Sequence, residues 1–134
     1  MAEVLVTPDV EAVYQSYLRT SLAARGWTAK VASVVPATRP EFMVKVTLTG
    51  GSVRNQISHE VQLTVECWAA DSLKASELAR LCHALTIAMQ GAVFSGVWVR
   101  AARPVSNPAS FPDPDTSTPR YQFTTRLDVR PLPA

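Results

Sequence analysis

"FMVKVTLTGGSVRNQISHEVQLTVECWA", residues 42–69, decides the fold of this chain. Its first half alternates Phe42, Val44, Val46 and Leu48 with Met43, Lys45, Thr47 and Thr49. Its second half alternates His59, Val61, Leu63, Val65 and Cys67 with Glu60, Gln62, Thr64, Glu66 and Trp68. A period of two is the mark of a half-buried strand, and here it occurs twice. Between the two runs, TGGSVRNQ breaks the pattern, and Gly50 and Gly51 supply the positive φ that a tight hairpin requires. The stretch therefore predicts two long antiparallel strands joined near the glycines, with one apolar and one polar face.

Outward from this hairpin the pattern becomes helical. Upstream, Thr7 and Pro8 read as an N-cap and a first-turn proline. Val10, Val13, Tyr14, Tyr17, Leu18 and Leu22 follow at helical spacing until Gly26 ends the run. KVASVVP, after it, is a candidate short strand. Downstream, Asp71 or Ser72 caps a second helix, whose apolar stripe is Leu78, Leu81, Cys82, Leu85, Ala88 and Met89, with Gly91 as its stop. GVWVRA then reads as a strand, and a proline-rich loop runs from about Arg103 to Pro119. A last strand alternates Tyr121, Phe123, Thr125, Leu127 and Val129 with Gln122, Thr124, Arg126, Asp128 and Arg130. The simplest architecture is α+β, a two-layer sandwich with a mostly antiparallel sheet and two amphipathic helices on its apolar face.

At 134 residues the chain is expected to be one domain, with a core large enough to fold without metal or disulfide support. The formal net charge is +2, and the basic residues are scattered singly, which argues against sequence-specific nucleic-acid recognition. Two cysteines, Cys67 and Cys82, make no disulfide framework, and MAEVLVTPDVEAVYQ lacks the basic and apolar regions of a signal peptide. No apolar run approaches the roughly 20 residues of a membrane span, so no membrane partner is expected.

Catalytic and metal chemistry find little to work with. His59 and Cys67 share a strand face but stand eight residues apart, which places them roughly 26 Å from each other and excludes a shared ion. On the second helix Cys82 lies in the apolar stripe while His83 turns to the other side. Glu60 and Glu66 are about 20 Å apart, too far for a paired-carboxylate mechanism. Neither a nucleophile elbow nor a phosphate-binding glycine loop is present. The expectation is a chain that is not an enzyme and holds no metal or cofactor.

Interaction surface remains. A proline-rich segment of this length in a small domain reads as a functional arm, stiffened by Pro104, Pro108, Pro112, Pro114 and Pro119. Trp68, on the polar face of its strand, is a second interface candidate.

Taken together, RPEFMVKVTLTGG, RNQISHEVQLTVECWA, an alanine- and leucine-rich helix and PDPDTSTPRYQFTTRLDV closely resemble the tail-terminator proteins of long-tailed, non-contractile bacteriophages, those of actinobacteriophages in particular. The likeness covers nearly the whole chain after about Pro8. His59 departs from the acidic residue common there in the family. The resemblance implies an α+β subunit assembling, typically as a hexameric ring, on the head-proximal end of the tail tube. Such a ring ends tube polymerisation and presents a surface to the head-side connector, without a catalytic residue or cofactor. Its partners would be its own copies, the tail tube protein and the connector or stopper protein. The resemblance leaves room for DNA to thread a ring lumen, and the protein, made in the bacterial cytoplasm, would end in the virion. On this reading the proline-rich loop is an arm with Pro112, Asp113, Pro114 and Asp115 exposed and with Arg120 and Tyr121 anchoring its return. Gly50, Gly51, Arg54 and Asn55 form a second contact loop, and Trp68 lies in an interface. Two alternatives stand beside this: another head–tail neck component, such as a stopper or head-completion protein, or a small dimeric ligand-binding or enzymatic α+β domain.

Overall fold

A computed structural model describes residues 3–134. In chain order the elements are β1 (Leu5–Val6), α1 (Val10–Ala24), β2 (Ala29–Ala32), β3 (Phe42–Asn55) and β4 (Ser58–Trp68), then α2 (Ser72–Ile87), β5 (Ala92–Phe94), β6 (Val97–Pro104), β7 (Ala109–Ser110), β8 (Arg120–Val129) and β9 (Leu132–Pro133). This is the expected α+β class, with a mostly antiparallel, curled sheet. Seven strands form it in the order β2-β3-β4-β8-β6-β5, with β7 also against β8. A two-stranded ribbon, β1 with β9, ties the two ends of the chain together.

The helices form where the sequence places them, with one shift. Asp9, not Thr7, caps α1, accepting the Ala12 N–H at 3.1 Å, and Thr7 instead bonds the His59 ring at 2.7 Å. An aspartate one residue before the first helical turn outcompetes the Thr-Pro pair, because its carboxylate also favours the positive end of the helix. At the other end Gly26, at φ +82°, allows its own N–H to reach Ala23 O and the Trp27 N–H to reach Leu22 O, which closes the helix. Asp71 caps α2 through the Lys74 N–H at 2.7 Å.

Both helices lie on one face of the sheet. Val10, Tyr14, Leu18 and Leu22 of α1 and Leu78, Ala79, Cys82 and Leu85 of α2 meet Val44, Val46, Leu63, Val65, Phe123, Leu127 and Val129, and all are buried in one core. Met89 extends the α2 stripe inward, whereas Ala88, assigned to that stripe from spacing, is exposed at the helix end. Polar groups within the core are bonded to each other: the Tyr14 hydroxyl lies 2.7 Å from Thr86 Oγ1, which donates to Cys82 O at 2.7 Å. Burial, with Cys82 nearby, pushes the Tyr14 phenol well above its usual range.

The candidate strand after α1 forms as β2 and pairs with β3 in parallel, Ala29 opposite Phe42 through Ala32 opposite Lys45. Two expectations about the strands are corrected. Gly50 and Gly51 do not turn the chain; they sit inside a continuous β3, at an irregularity between Leu48 and Gly50, and the hairpin closes only at Asn55–Ser58. Both have positive φ, +116° and +129°, so the glycines serve a bulge and not a turn. Finally, the proline-rich stretch is not structureless. The Val105 N–H donates to Thr124 O, β7 pairs Ala109 with Gln122, and the Phe111 N–H reaches Arg120 O. The chain from β6 to β8 is thus one long hairpin whose tip, 112–119, holds the remaining prolines. Before it, β5 and β6 are joined by Ser95 and Gly96, both at positive φ, the two-residue turn suited to a twisted hairpin.

Candidate functional site

β4 and β8 run side by side, Trp68 opposite Arg120 at one end and His59 opposite Val129 at the other. The tip of the proline-rich hairpin sits at the first end and the β3–β4 tip at the second. With β4 eleven residues long, the two tips are separated by roughly 33 Å. Both loops singled out from the sequence therefore exist as projecting hairpins, at opposite ends of one sheet.

At the proline-rich end the chain closes over its own tryptophan. Trp68 lies on the open, helix-free side of the sheet as its parity requires, yet it is only 3% exposed. Two guanidiniums flank its ring, Arg39 at 5.6 Å and Arg120 at 5.4 Å from the centroid. Arg39 also pairs with Asp113 at 3.1 Å and donates to Thr118 Oγ1 at 2.9 Å, which ties the 39–41 segment to the hairpin tip. Arg120 donates to Phe111 O at 2.8 Å and lies 3.8 Å from Glu66. Tyr121 is half-buried against the core. Arg120 and Tyr121 thus lie where the hairpin returns into the sheet.

Two expectations change here. Asp113 is not a free surface charge: the Asp115 N–H first, and then Arg39, hold its carboxyl below the usual range. Trp68 is not an exposed aromatic, because the segments that cover it come from residues 39–41 and 111–120, which strand alternation cannot see. Its indole Nε1 is buried without a partner among the described residues, beside a small hollow lined by Arg39, Glu41, Ala70 and Thr118. Pro112, Pro114 and Asp115 remain exposed at the tip. Removing residues 110–117 would take away Asp113, the ion-pair partner of Arg39.

At the opposite end Arg54 and Asn55 lie at the β3–β4 tip. Asn55 Oδ1 accepts the Ile57 N–H at 3.0 Å and shapes the turn. Arg54 reaches across to Asp128 at 3.4 Å, and Asp128, 3% exposed, also accepts from Ser58 Oγ at 2.5 Å. On the helix side of this hairpin a groove of about 420 Å³ is lined by Leu48, Gly50, Gly51, Val53 and His59 and by the start of α1. Two of its polar groups are already engaged: His59 is buried and held by Thr7, and Asp9 accepts from the first turn of the helix.

The remaining titratable candidates are structural. His83 packs edge-on against Phe123 with ring centroids 5.3 Å apart. Cys67 and Cys82 are buried and free, and the neighbouring Cys82 thiol, together with burial, pushes the Cys67 thiol well up. Among the described residues no group of three His, Cys, Asp or Glu side chains is placed to hold a metal ion, and no helix is long and apolar enough to cross a membrane.

These features define a class by shape: an α+β chain with one open sheet face and two distant hairpin tips. Among solved structures, a chain of the virion of a native gene transfer agent particle shares that fold, with a TM-score of 0.66 over 90% of this chain and 94% of that one, at 12% sequence identity. No family model and no curated protein sequence matches this chain.

Proposed function

We propose that this chain is a structural subunit of a phage-like virion, and within it a tail terminator: a ring-forming protein that caps the head-proximal end of the tail tube and joins it to the head connector. The observation that carries the proposal is the end-to-end agreement of fold with a virion chain, in which nearly all of both molecules is matched. The tail-terminator motifs named from the sequence narrow that reading from virion subunit to terminator.

The geometry suits such assembly. A closed ring is built from a heterologous contact, one patch meeting a different patch on the next copy. Two unlike hairpin tips at opposite ends of the sheet supply different surfaces. The lateral edges do as well: β3 has a partner on its outer side only over Phe42–Lys45, leaving Val46–Asn55 with exposed Leu48 and Val53 along an edge, and β5 with exposed Val93 forms the other edge. A stopper or head-completion protein would use the same logic on the portal side, and partner identity separates the two. A dimeric ligand-binding domain would need a pocket with converging free polar groups, and in the 420 Å³ groove His59 and Thr7 are engaged with each other.

Native mass spectrometry of the purified chain over a range of concentrations, with negative-stain images of the same sample, tests the assembly. A cyclic hexamer supports the reading. A strict dimer that stays a dimer when tail tubes are added refutes it.

A further inference from the structure

In the sequence the arginines stand singly, but the fold gathers them. Five lie at the β3–β4 tip end of the helix-free sheet face: Arg54, Arg100, Arg103, Arg126 and Arg130. The register sets this cluster. Arg126 on β8 stands between Gln62 and Arg103, and the irregularity between Val99 and Ala101 turns Arg100 to the open side with Ala101 opposite Asp128. Arg130 continues the parity of Arg126 and Asp128, and its N–H donates to Trp98 O at 3.2 Å. Arg54 arrives from β3.

Among the described residues three carboxylates lie at this end, and one of them, Glu3, lines a hollow with Arg130 at the rim without forming an ion pair. Asp128 is buried and taken by Ser58 and Arg54, while Glu60 lies 4.0 Å from Arg126. Arg100, Arg103 and Arg130 form no ion pair among the described residues. Arg103 directly faces Arg126, a like-charge cross-strand pair that weakens a sheet, so the stability of the fold does not account for it. Trp98, 36% exposed, completes the patch with the Arg100 guanidinium 5.0 Å over its ring.

We propose that this face binds the phosphate backbone of duplex DNA. Three strand spacings by four residues of β8 spread the guanidiniums over roughly 14 by 13 Å, enough to meet several phosphates of a regular polyanion at once. Planar guanidiniums match phosphate oxygens bidentately, and such contacts carry no base sequence. The proposal goes beyond the ring reading and applies to the single chain; in a ring it would identify the face turned toward passing DNA.

The test is fluorescence anisotropy with a labelled duplex of about 30 base pairs, from about 50 to 200 mM salt. The comparison is between the parent chain, Arg103→Gln with Arg130→Gln, and a control pair on the helix side, Arg25→Gln with Arg80→Gln. The parent should bind different sequences equally, with log K falling linearly against log salt. The open-face pair should lower affinity at least about tenfold at the low-salt end and make the slope shallower by about 1.8, while the control pair leaves both unchanged. No binding by the parent, equal losses in both pairs, or stronger competition by an acidic polypeptide than by unlabelled duplex would overturn the proposal. Circular dichroism and native mass spectrometry on the same samples report folding and assembly, so loss of a ring with DNA binding kept would count against the ring alone.

Discussion

Replacing Gly51 with alanine separates a steric requirement from a conformational one, because Gly50 beside it provides the control. Both glycines have positive φ, +116° and +129°, where an L side chain is strained by about 1–3 kcal/mol. At Gly50 an added Cβ would meet nothing within 4 Å, so Gly50→Ala should cost that strain and little more. At Gly51 the Cβ would stand 2.0 Å from Glu60 O and 3.0 Å from Val61 Cα, both backbone atoms of the paired strand. To restore ordinary contact the strands must part by more than an ångström, breaking about two ladder hydrogen bonds, each worth about 1 kcal/mol net. Gly51→Ala should therefore cost about 3–5 kcal/mol in all, a large share of the ~5–15 kcal/mol typical of a domain. In urea unfolding followed by circular dichroism, the midpoint should fall by about 2 M for Gly51→Ala and by about 1 M or less for Gly50→Ala. Equal midpoints in the two variants would refute the close approach, and with it the bulge that carries β3 past the glycines to the Arg54 tip.

Other outcomes follow from single contacts. Thr86→Val leaves the buried Tyr14 hydroxyl unpaired and should cost about 2 kcal/mol, against about 1 kcal/mol for Tyr14→Phe, which keeps the Thr86 bond to Cys82 O; thermal melts of the pair check the order. Asp128→Ala should destabilise by about 2 kcal/mol or more, since Ser58 Oγ and Arg54 lose their shared acceptor, and denaturant titration measures it. Asp113 has a carboxyl held below its usual range, so it favours the folded state above the unfolded value of about 3.9, and that contribution disappears as pH falls through the lower folded value. The urea-midpoint gap between the parent and Asp113→Asn should be constant from neutral pH to about pH 5 and close below about pH 4; a gap that persists in acid contradicts the pairing. Cys67 and Cys82 should resist a thiol reagent until the chain is unfolded, because both are buried and the Cys67 thiol is pushed up by Cys82 beside it and by burial.

The layer plan was legible because helices cover only one side of the sheet, so β4 and β8 alternate strictly and both helices carry clean apolar stripes. The hairpin position was not, since beyond Leu48 the β3 side chains are exposed on both faces and no alternation marks where the strand ends. Gly50 and Gly51 have the backbone a turn would need, and a bulge needs the same. β5 had a readable signal in Ser95-Gly96. The prolines hid β7 because they sit at the edge or in the tip, where a missing N–H costs no ladder bond. Arg54 and Asn55 end β3, beside the turn that leads into β4. Trp68 and Asp113 were misplaced in exposure for one reason: Arg39, more than seventy residues from the proline-rich tip, folds back to meet both. The arginine cluster was invisible for a related reason, with its members dispersed over more than half of the chain and brought together only by register.

Purified chain mixed with tail tube subunits during polymerisation, and imaged by electron microscopy, tests most directly whether this protein ends a tail tube, as we propose. The expected result is tubes of arrested length bearing one added ring at a single end. Tubes that grow unchanged and stay bare at both ends would contradict it.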